Sequence, residues 1–380
     1  MQLTMFSADL KRLASAAGET APRKSEFLII THLRLAAEAG ADSVQVTATD
    51  LETLFTGEYP ARVDEPGVVC LPAARLAEIA SLAPSDEVSL ASLADGRMGI
   101  EAGSARYRLA GLGDDTWPEP PADTGGLTGL RLPASGLAEV LAIVAPAMSR
   151  DHTRFNLAAV FVQRHGEGGL VFAATDGHRL AVVTREGLGA AGLELGAGLL
   201  IPRSAVGRLQ KMCGQAGDDT VLLELGPGAA ALTVDHLESQ PVVRERLVAR
   251  GVQGQFPDYT VVIPTGPGHR LTVGRATLAE ALKRVALMAT REFRGVRLSA
   301  ADDLLSLEAL CDTGRAEESM AVNYQGPPVA VGVNAGYLLD FCAALGSDEL
   351  SLVLADSKTA IKITGEGDPG FTGVIMPLQM

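Results

Sequence analysis

The chain has 380 residues, 47% of them hydrophobic and 21% charged, and a formal net charge of −14. That composition excludes a disordered chain, and the absence of any apolar run near the roughly 18 residues of a membrane span argues against a helical membrane protein. The acidity taken alone argues against a general nucleic-acid binder, because phosphate recognition needs a basic face; a local basic stripe on an acidic body stays open.

The first residues, MQLTMFSADLKRL, carry Asp9, Lys11 and Arg12 where a secretory leader needs its apolar core, so a cytoplasmic protein is expected. A chain this long predicts two or three domains. An apolar strand followed at once by an amphipathic helix occurs at Leu3, and again at Leu130 and Leu271, with the helix leucines at Leu10, Leu137 and Leu278. A second strand–turn–helix landmark follows each, its turn residue at Pro72, Pro202 and Asn334. A third is an apolar strand ending in aspartate, at Asp50, Asp176 and Asp312. Three landmarks in one order, about 130 residues apart, predict a threefold repeat with domains at residues 1–126, 127–266 and 267–380. Each copy holds two helices and several alternating strands, so sheets are expected to pack helices on one side and to continue edge to edge between domains. Linkers are expected in the Pro/Gly-rich stretches near residues 120 and 266.

No catalytic constellation assembles. The chain has no Gly-Lys pair and hence no Walker A loop, and G-x-S-x-G and H-E-x-x-H are missing. The four cysteines, Cys70, Cys213, Cys311 and Cys342, form no C-x-x-C pair, and the six histidines show no metal-ligand spacing. No metal, cofactor or catalytic residue is therefore expected. The stretch ATDGHRLAVV, Ala174 to Val183, supports three readings. Asp176-Gly177 between apolar strands is a hairpin-turn signal of the type I′ kind, in which Asp176 bonds its local backbone. Asp176 and His178 could instead be part of a hydrolase set lacking its serine. Third, the turn could present polar groups beside an apolar groove to a peptide.

TATDLE (Thr47–Glu52), TDGHRLA (Thr175–Ala181), FPDYTVVIP (Phe256–Pro264), EFRGVRL (Glu292–Leu298) and the terminal VIMPLQM (Val374–Met380), in this order along a threefold repeat, resemble the bacterial DNA polymerase III beta subunit, the sliding-clamp family. The resemblance implies an α+β chain of three clamp domains, each with two helices and antiparallel sheets, closing as a head-to-tail homodimer into a ring around double-stranded DNA. It implies no enzyme and no cofactor. The implied partners are the DNA polymerase III catalytic subunit, a clamp loader, and other polymerases and repair proteins carrying clamp-binding motifs.

Carried over residue by residue, the resemblance implies a peptide groove built by Leu157, Thr175, Gly177, His178, Arg179 and Leu180, with Pro257, Val261 and Val262, and completed by Asn334, Tyr337, Val374, Met376, Pro377 and Leu378. It implies DNA-facing cations Lys11, Arg12, Lys24, Arg75, Arg150, Arg154, Arg203, Arg208, Lys211, Lys283 and Arg284, with Phe155 beside them. It implies a dimer interface of Tyr107 and Leu109 against Leu287 and Met288, with Arg106 and Arg108 facing Glu317 and Glu318. The chain departs from the family at Val261 and at the tail residues Gln379 and Met380, where relatives carry a basic residue, then a basic and an aliphatic one. Ser25–Leu33 replaces a proline-centred stretch, and Asp235–Gln255 is longer than expected. An alternative function consistent with those departures is a diverged clamp-fold protein that binds clamp clients without encircling DNA.

Overall fold

The structure is a computed structural model, and it describes residues 1–118, 126–151, 153–237, 242–290 and 294–379. The core of the first expected linker, His152, part of the long segment before FPDY, Glu292 and Phe293 of the EFRGVRL motif, and Met380 lie outside the described residues. Among the described residues there are six α-helices: α1 (Ser7–Thr20), α2 (Ala73–Ser81), α3 (Ala134–Val144), α4 (Arg203–Ala216), α5 (Arg275–Val285) and α6 (Ala335–Ala344).

The expected repeat is visible in how strands enter helices. Gln2–Phe6 runs directly into α1, Thr128–Pro133 into α3 and His269–Gly274 into α5. Gly67–Pro72 leads into α2, Leu199–Pro202 into α4 and Val329–Asn334 into α6. Apolar residues at helical spacing set the buried face of each helix. In α1 these are Leu10, Leu13, Ala14 and Ala17, and in α5 they are Leu278, Ala281, Leu282 and Val285. Each leucine so buried contributes about 1.5–3 kcal/mol. Pro22 stops α1, since it has no N–H to continue the ladder.

The chain folds into two compact units, one of Met1–Leu137 with Gly207–Gly251, the other of Ala138–Val206 with Val252–Met380. The first unit holds an eight-stranded antiparallel sheet whose seam pairs Thr53–Pro60 with Val243–Arg250, so the first and second copies of the repeat share one sheet. A five-stranded sheet in the same unit ends at the edge strand Ala105–Ala110. There α1 and α2 pack on each other, and α1 lies over Thr53–Pro60.

The second unit repeats the scheme. Its nine-stranded sheet is joined where Arg179–Arg185 pairs antiparallel with Phe371–Ile375, the seam between the second and third copies. Gly370 begins that seam at φ +80, and a Cβ there would stand 2.3 Å from the Thr184 carbonyl oxygen, so only glycine fits this approach. A four-stranded sheet runs from the edge strand Gly314–Ala321 to Val329–Asn334, and α5 packs on α6 and on this sheet. Both sheet seams match the expectation of edge-to-edge continuation. Among the described residues no helix is long and apolar enough to cross a membrane, and no cluster of potential metal ligands forms.

Candidate functional site

The TDGHRL turn is built around one carboxylate. Asp176 Oδ1 accepts from the backbone N–H groups of His178 (2.9 Å) and Arg179 (3.0 Å). The Thr175 hydroxyl donates to the Arg179 carbonyl (2.6 Å) and accepts from Gly177 N (3.1 Å). Thr175 pairs across the hairpin with Leu180, so four residues lie between the last paired positions where the type I′ expectation allowed two. The reason is that Asp176 takes the place of a backbone acceptor, so only Gly177, at φ +91, needs a positive φ.

Arg179 pins this turn to its own unit. Its side chain is 6% exposed. Its Nε donates to Asp176 Oδ2 (3.1 Å), its Nη1 to Asp340 Oδ2 (2.5 Å) and its Nη2 to the Pro146 carbonyl. The guanidinium carbon lies 4.4 Å from the centre of the Tyr337 ring, a cation–π stack. Burial raises the Tyr337 hydroxyl above its ordinary pKa, and nearby Asp176 raises it further. The two strong anions beside Arg179 neutralise it, so it acts as a structural fork rather than a free charge. Among the described residues Asp176 is occupied by the His178 and Arg179 N–H groups and by the Arg179 side chain, which is the bonding of a structural turn.

Phe256 anchors the second wall. Its ring stacks on Phe161 at 4.8 Å, inside a core that includes Val171, Leu180, Val182 and Val374. With Phe256 fixed, Pro257 faces outward and Asp258 caps the short 3-10 turn Tyr259–Val262 by accepting from Thr260 N at 3.0 Å. The third wall is the tail. Met376 N donates to the His178 carbonyl (2.8 Å) and Leu378 N to the Gly332 carbonyl (2.8 Å), so the terminal run is held as an extended segment.

These walls enclose a cavity of about 300 Å³. Leu157, Thr175, Gly177, Arg179 and Leu180 line one side, Pro257 and Val262 another, and Val374 and Met376 the third. Sequence reasoning missed Asp258 and Tyr259, which also line it. For Tyr259 the signal was present, since it is the aromatic that closes FPDY, three residues after the anchored Phe256. Six expected groove residues do not line the cavity. His178 is exposed and contributes its carbonyl, and Val261 is 77% exposed. Asn334 caps α6 by accepting from Gly336 N at 2.8 Å, and Tyr337 carries Arg179. Pro377 and Leu378 extend the tail beyond the cavity, half-buried.

The expected DNA-facing residues divide into two sets. Lys11, Lys24, Arg75, Arg150, Lys211 and Lys283 are exposed, as are Arg154 and Phe155. Arg75 pairs with Glu78, Arg154 with Asp151 and Lys211 with Glu19. Arg203 and Arg208, in contrast, turn inward. Arg203 donates to the Met148 and Ser149 carbonyls, and burial lowers its pKa. Arg208 donates to Asp50 Oδ2 (2.9 Å), to the Thr53 hydroxyl and to the carbonyls of Glu19 and Thr20. Arg12 donates to Glu245, which is fully buried and also accepts from the Tyr59 hydroxyl at 2.6 Å. Burial alone would raise the Glu245 carboxyl, but the His236 ring 3.5 Å away, the hydrogen bond from Tyr59 and the charge of Arg12 hold it below the usual range.

The expected interface residues are also distributed differently in their charges. Tyr107 and Leu109 are half-buried on the edge strand, and Leu287 is 79% exposed with Met288 beside it. Arg106 pairs with Glu101, Glu317 with Arg315, and Glu318 with Arg284, all within the chain. Arg108 is exposed. Local strand and helix neighbours thus satisfy the glutamates expected to meet Arg106 and Arg108.

Comparison with known proteins places this geometry. Residues 131–258 match the family of the DNA polymerase III beta subunit central domain, and residues 260–379 match that of its C-terminal domain. The chain is 31% identical to the beta sliding clamp of Caulobacter vibrioides and 29% identical to that of Synechococcus elongatus, covering all of each protein. It superposes with a TM-score of 0.91, at 29% identity and full coverage of both chains, on a sliding clamp from Bartonella birtlesii bound to griselimycin. The pol III beta of Caulobacter crescentus superposes with a TM-score of 0.88, also at 29% identity and full coverage. Repeated strand–helix copies joined through their sheets define a protein of the DNA-clamp class. Within that class, the chain belongs to the DNA polymerase III beta subunit family, the beta sliding clamps.

Proposed function

We propose that two copies of this chain close head to tail around duplex DNA as a non-catalytic processivity factor, and that the cavity in the second compact unit receives short peptides of the proteins it tethers. Full-length similarity to proteins named beta sliding clamps supports the role. The observation that carries closure is the pair of sheet edges. Ala105–Ala110 ends one sheet and Gly314–Ala321 ends another, with the exposed Leu287 near the second. Open edges of this kind call for a partner strand, and head-to-tail pairing of two copies covers both. Three strand–helix pairs support a division into domains at 1–126, 127–266 and 267–380.

The cavity suits a peptide because it is mostly apolar, with a few oriented polar groups and an adaptable methionine. Its partners on this reading are the replicative polymerase subunit, a clamp loader, and other polymerases and repair proteins, in the cytoplasm. Lys11, Lys24, Arg75, Arg150, Arg154, Phe155, Lys211 and Lys283 form the DNA-facing set, while Arg203 and Arg208 hold the fold. Weak contacts from an acidic body favour sliding over tight binding. The test is retention on a nicked circular plasmid in the presence of the cognate loader. Retention that is released by linearising the plasmid, and weakened by Lys11→Glu with Lys283→Glu, is expected. Peptide binding without any retention would leave the client-binding alternative in its place.

A further inference from the structure

A second cavity borders the C-terminal tail. Its volume is about 610 Å³, and it is lined by Gly295, Arg297, Glu308, Leu310, Leu378 and Gln379 among others. Met376 belongs to the 300 Å³ cavity and Leu378 to this one. Two residues of extended chain span about 7 Å, so the cavities are neighbours along the tail. The tail is fixed between them at both points, by Met376 N on the His178 carbonyl and by Leu378 N on the Gly332 carbonyl.

The chemistry of this second cavity is distinct. Leu310 is 64% exposed on its wall, an apolar side chain without cover. Arg297 stands opposite Glu308 in the strand register, yet Glu308 is taken by Arg315 at 2.9 Å. Arg297 therefore makes no ion pair among the described residues, and its charge faces the cavity from an exposed position. An uncovered leucine beside an unpaired guanidinium suits an apolar residue next to a carboxylate.

We propose that the segment flanking a client's groove-bound motif continues along the tail past Met376 and Leu378 and docks in this cavity, placing an acidic side chain on Arg297 and an apolar one on Leu310. The proposal rests on the reading of the first cavity as a peptide groove. Continuity across Met376 and Leu378 identifies the occupant as the same client chain, and the unpaired cation gives the sign of its charge. Three or four residues beyond the motif are long enough to reach, at about 3.3 Å each. Clients would then be ranked by their flanks as well as by their motif.

The experiment is calorimetric titration of three peptides into the full-length protein. One is a core motif with a glutamine and spaced leucine or phenylalanine anchors. The other two extend it at one end or the other by four residues that include a leucine and two glutamates. One extended peptide is expected to bind about fivefold more tightly than the core, the scale of an exposed charge pair joined by an apolar contact. In Arg297→Glu that gain should vanish while the core peptide binds as before, which also shows that the variant is folded. Equal affinity of core and extended peptides, or a gain that survives in Arg297→Glu, overturns the proposal and leaves the groove intact. Failure of the core peptide and both extended peptides to bind would remove the groove reading itself, and this proposal with it.

Discussion

Arg179→Ala is the most informative single change, because one side chain joins the turn, α6 and the segment after α3. Truncation leaves the two backbone donors on Asp176 in place but removes the guanidinium from Asp340, from the Pro146 carbonyl and from the Tyr337 ring. Breaking a buried ion pair by removing one partner costs about 3–5 kcal/mol. Here the Asp340 side chain is 43% exposed, so water recovers part of that cost and about 2–3 kcal/mol is expected. Loss of the ring stack adds about 0.5–1 kcal/mol. A total of about 3 kcal/mol would lower the unfolding midpoint of a unit of about 200 residues by roughly 6–12 °C. Peptide affinity should fall by at least about tenfold, since the wall carrying Thr175 and Gly177 loses its anchor. Arg179→Lys keeps a charge but not the fork, and should recover less than half of either effect. Scanning calorimetry and peptide titration read the two effects separately. If Arg179→Ala unfolds at the parent's temperature and binds peptide with the parent's affinity, the turn does not depend on this pin.

Three further outcomes are expected. Deleting Met376–Met380 should abolish peptide binding, measured by titration, while sedimentation still shows a dimer, because the edge strands lie elsewhere in the sheets. Replacing exposed Leu287 and neighbouring Met288 by alanine should shift that dimer toward monomer, and an unchanged mass at micromolar concentration would count against the proposed interface. Glu245→Gln should destabilise by about 2–4 kcal/mol at neutral pH, since it weakens a buried acceptor shared by Arg12 and Tyr59. The Glu245 carboxyl is depressed in the folded state, so its contribution is complete above an ordinary glutamate pKa of about 4.3 and is lost as pH falls through the lower folded value. The difference in thermal midpoint between parent and variant should therefore narrow in acid, and a constant difference would disprove the charge-based account.

Patterns that repeat along the chain were legible from the sequence. The strand–helix landmarks at Leu10, Leu137 and Leu278 fall on real helices because apolar spacing alone decides which face is buried. Much of the cavity's lining was legible through its motifs, as Thr175, Leu180, Pro257 and Val374 show. What could not be read was the destination of long charged side chains. Arg203, Arg208 and Arg284 sit on helices at surface-like positions, yet each reaches several ångströms to an acceptor brought close by other elements. A guanidinium has five donors and a long stem, so its partner is set by tertiary packing and not by its neighbours in sequence. Asp258 escaped for a related reason, since its position as a cap depends on where the Phe256–Phe161 stack leaves the chain.

The first copy of the repeat shows what distinguishes a purely structural hairpin from the turn proposed as a binding wall. In that copy the Thr49 hydroxyl donates to the Thr53 carbonyl (2.7 Å) and accepts from Leu51 N (3.0 Å). Asp50 Oδ1 accepts from the N–H groups of Glu52 (3.1 Å) and Thr53 (2.7 Å). This is the same bonding as at Thr175 and Asp176, residue for residue, and the positive φ recurs at Leu51 as it does at Gly177. Two of the three differences between these turns matter here. The arginine on the aspartate comes from α4 as Arg208 in the first turn, and from within the turn as Arg179 in the second. Leucine holds the left-handed position in the first turn, where it strains the backbone, and glycine holds it in the second. An internal arginine frees the second turn from the need for a neighbouring helix on top of it, and glycine leaves its backbone bare. The turn's hydrogen bonds thus specify only its shape. Its availability to a ligand follows from the side chains that Gly177 lacks and Arg179 withdraws.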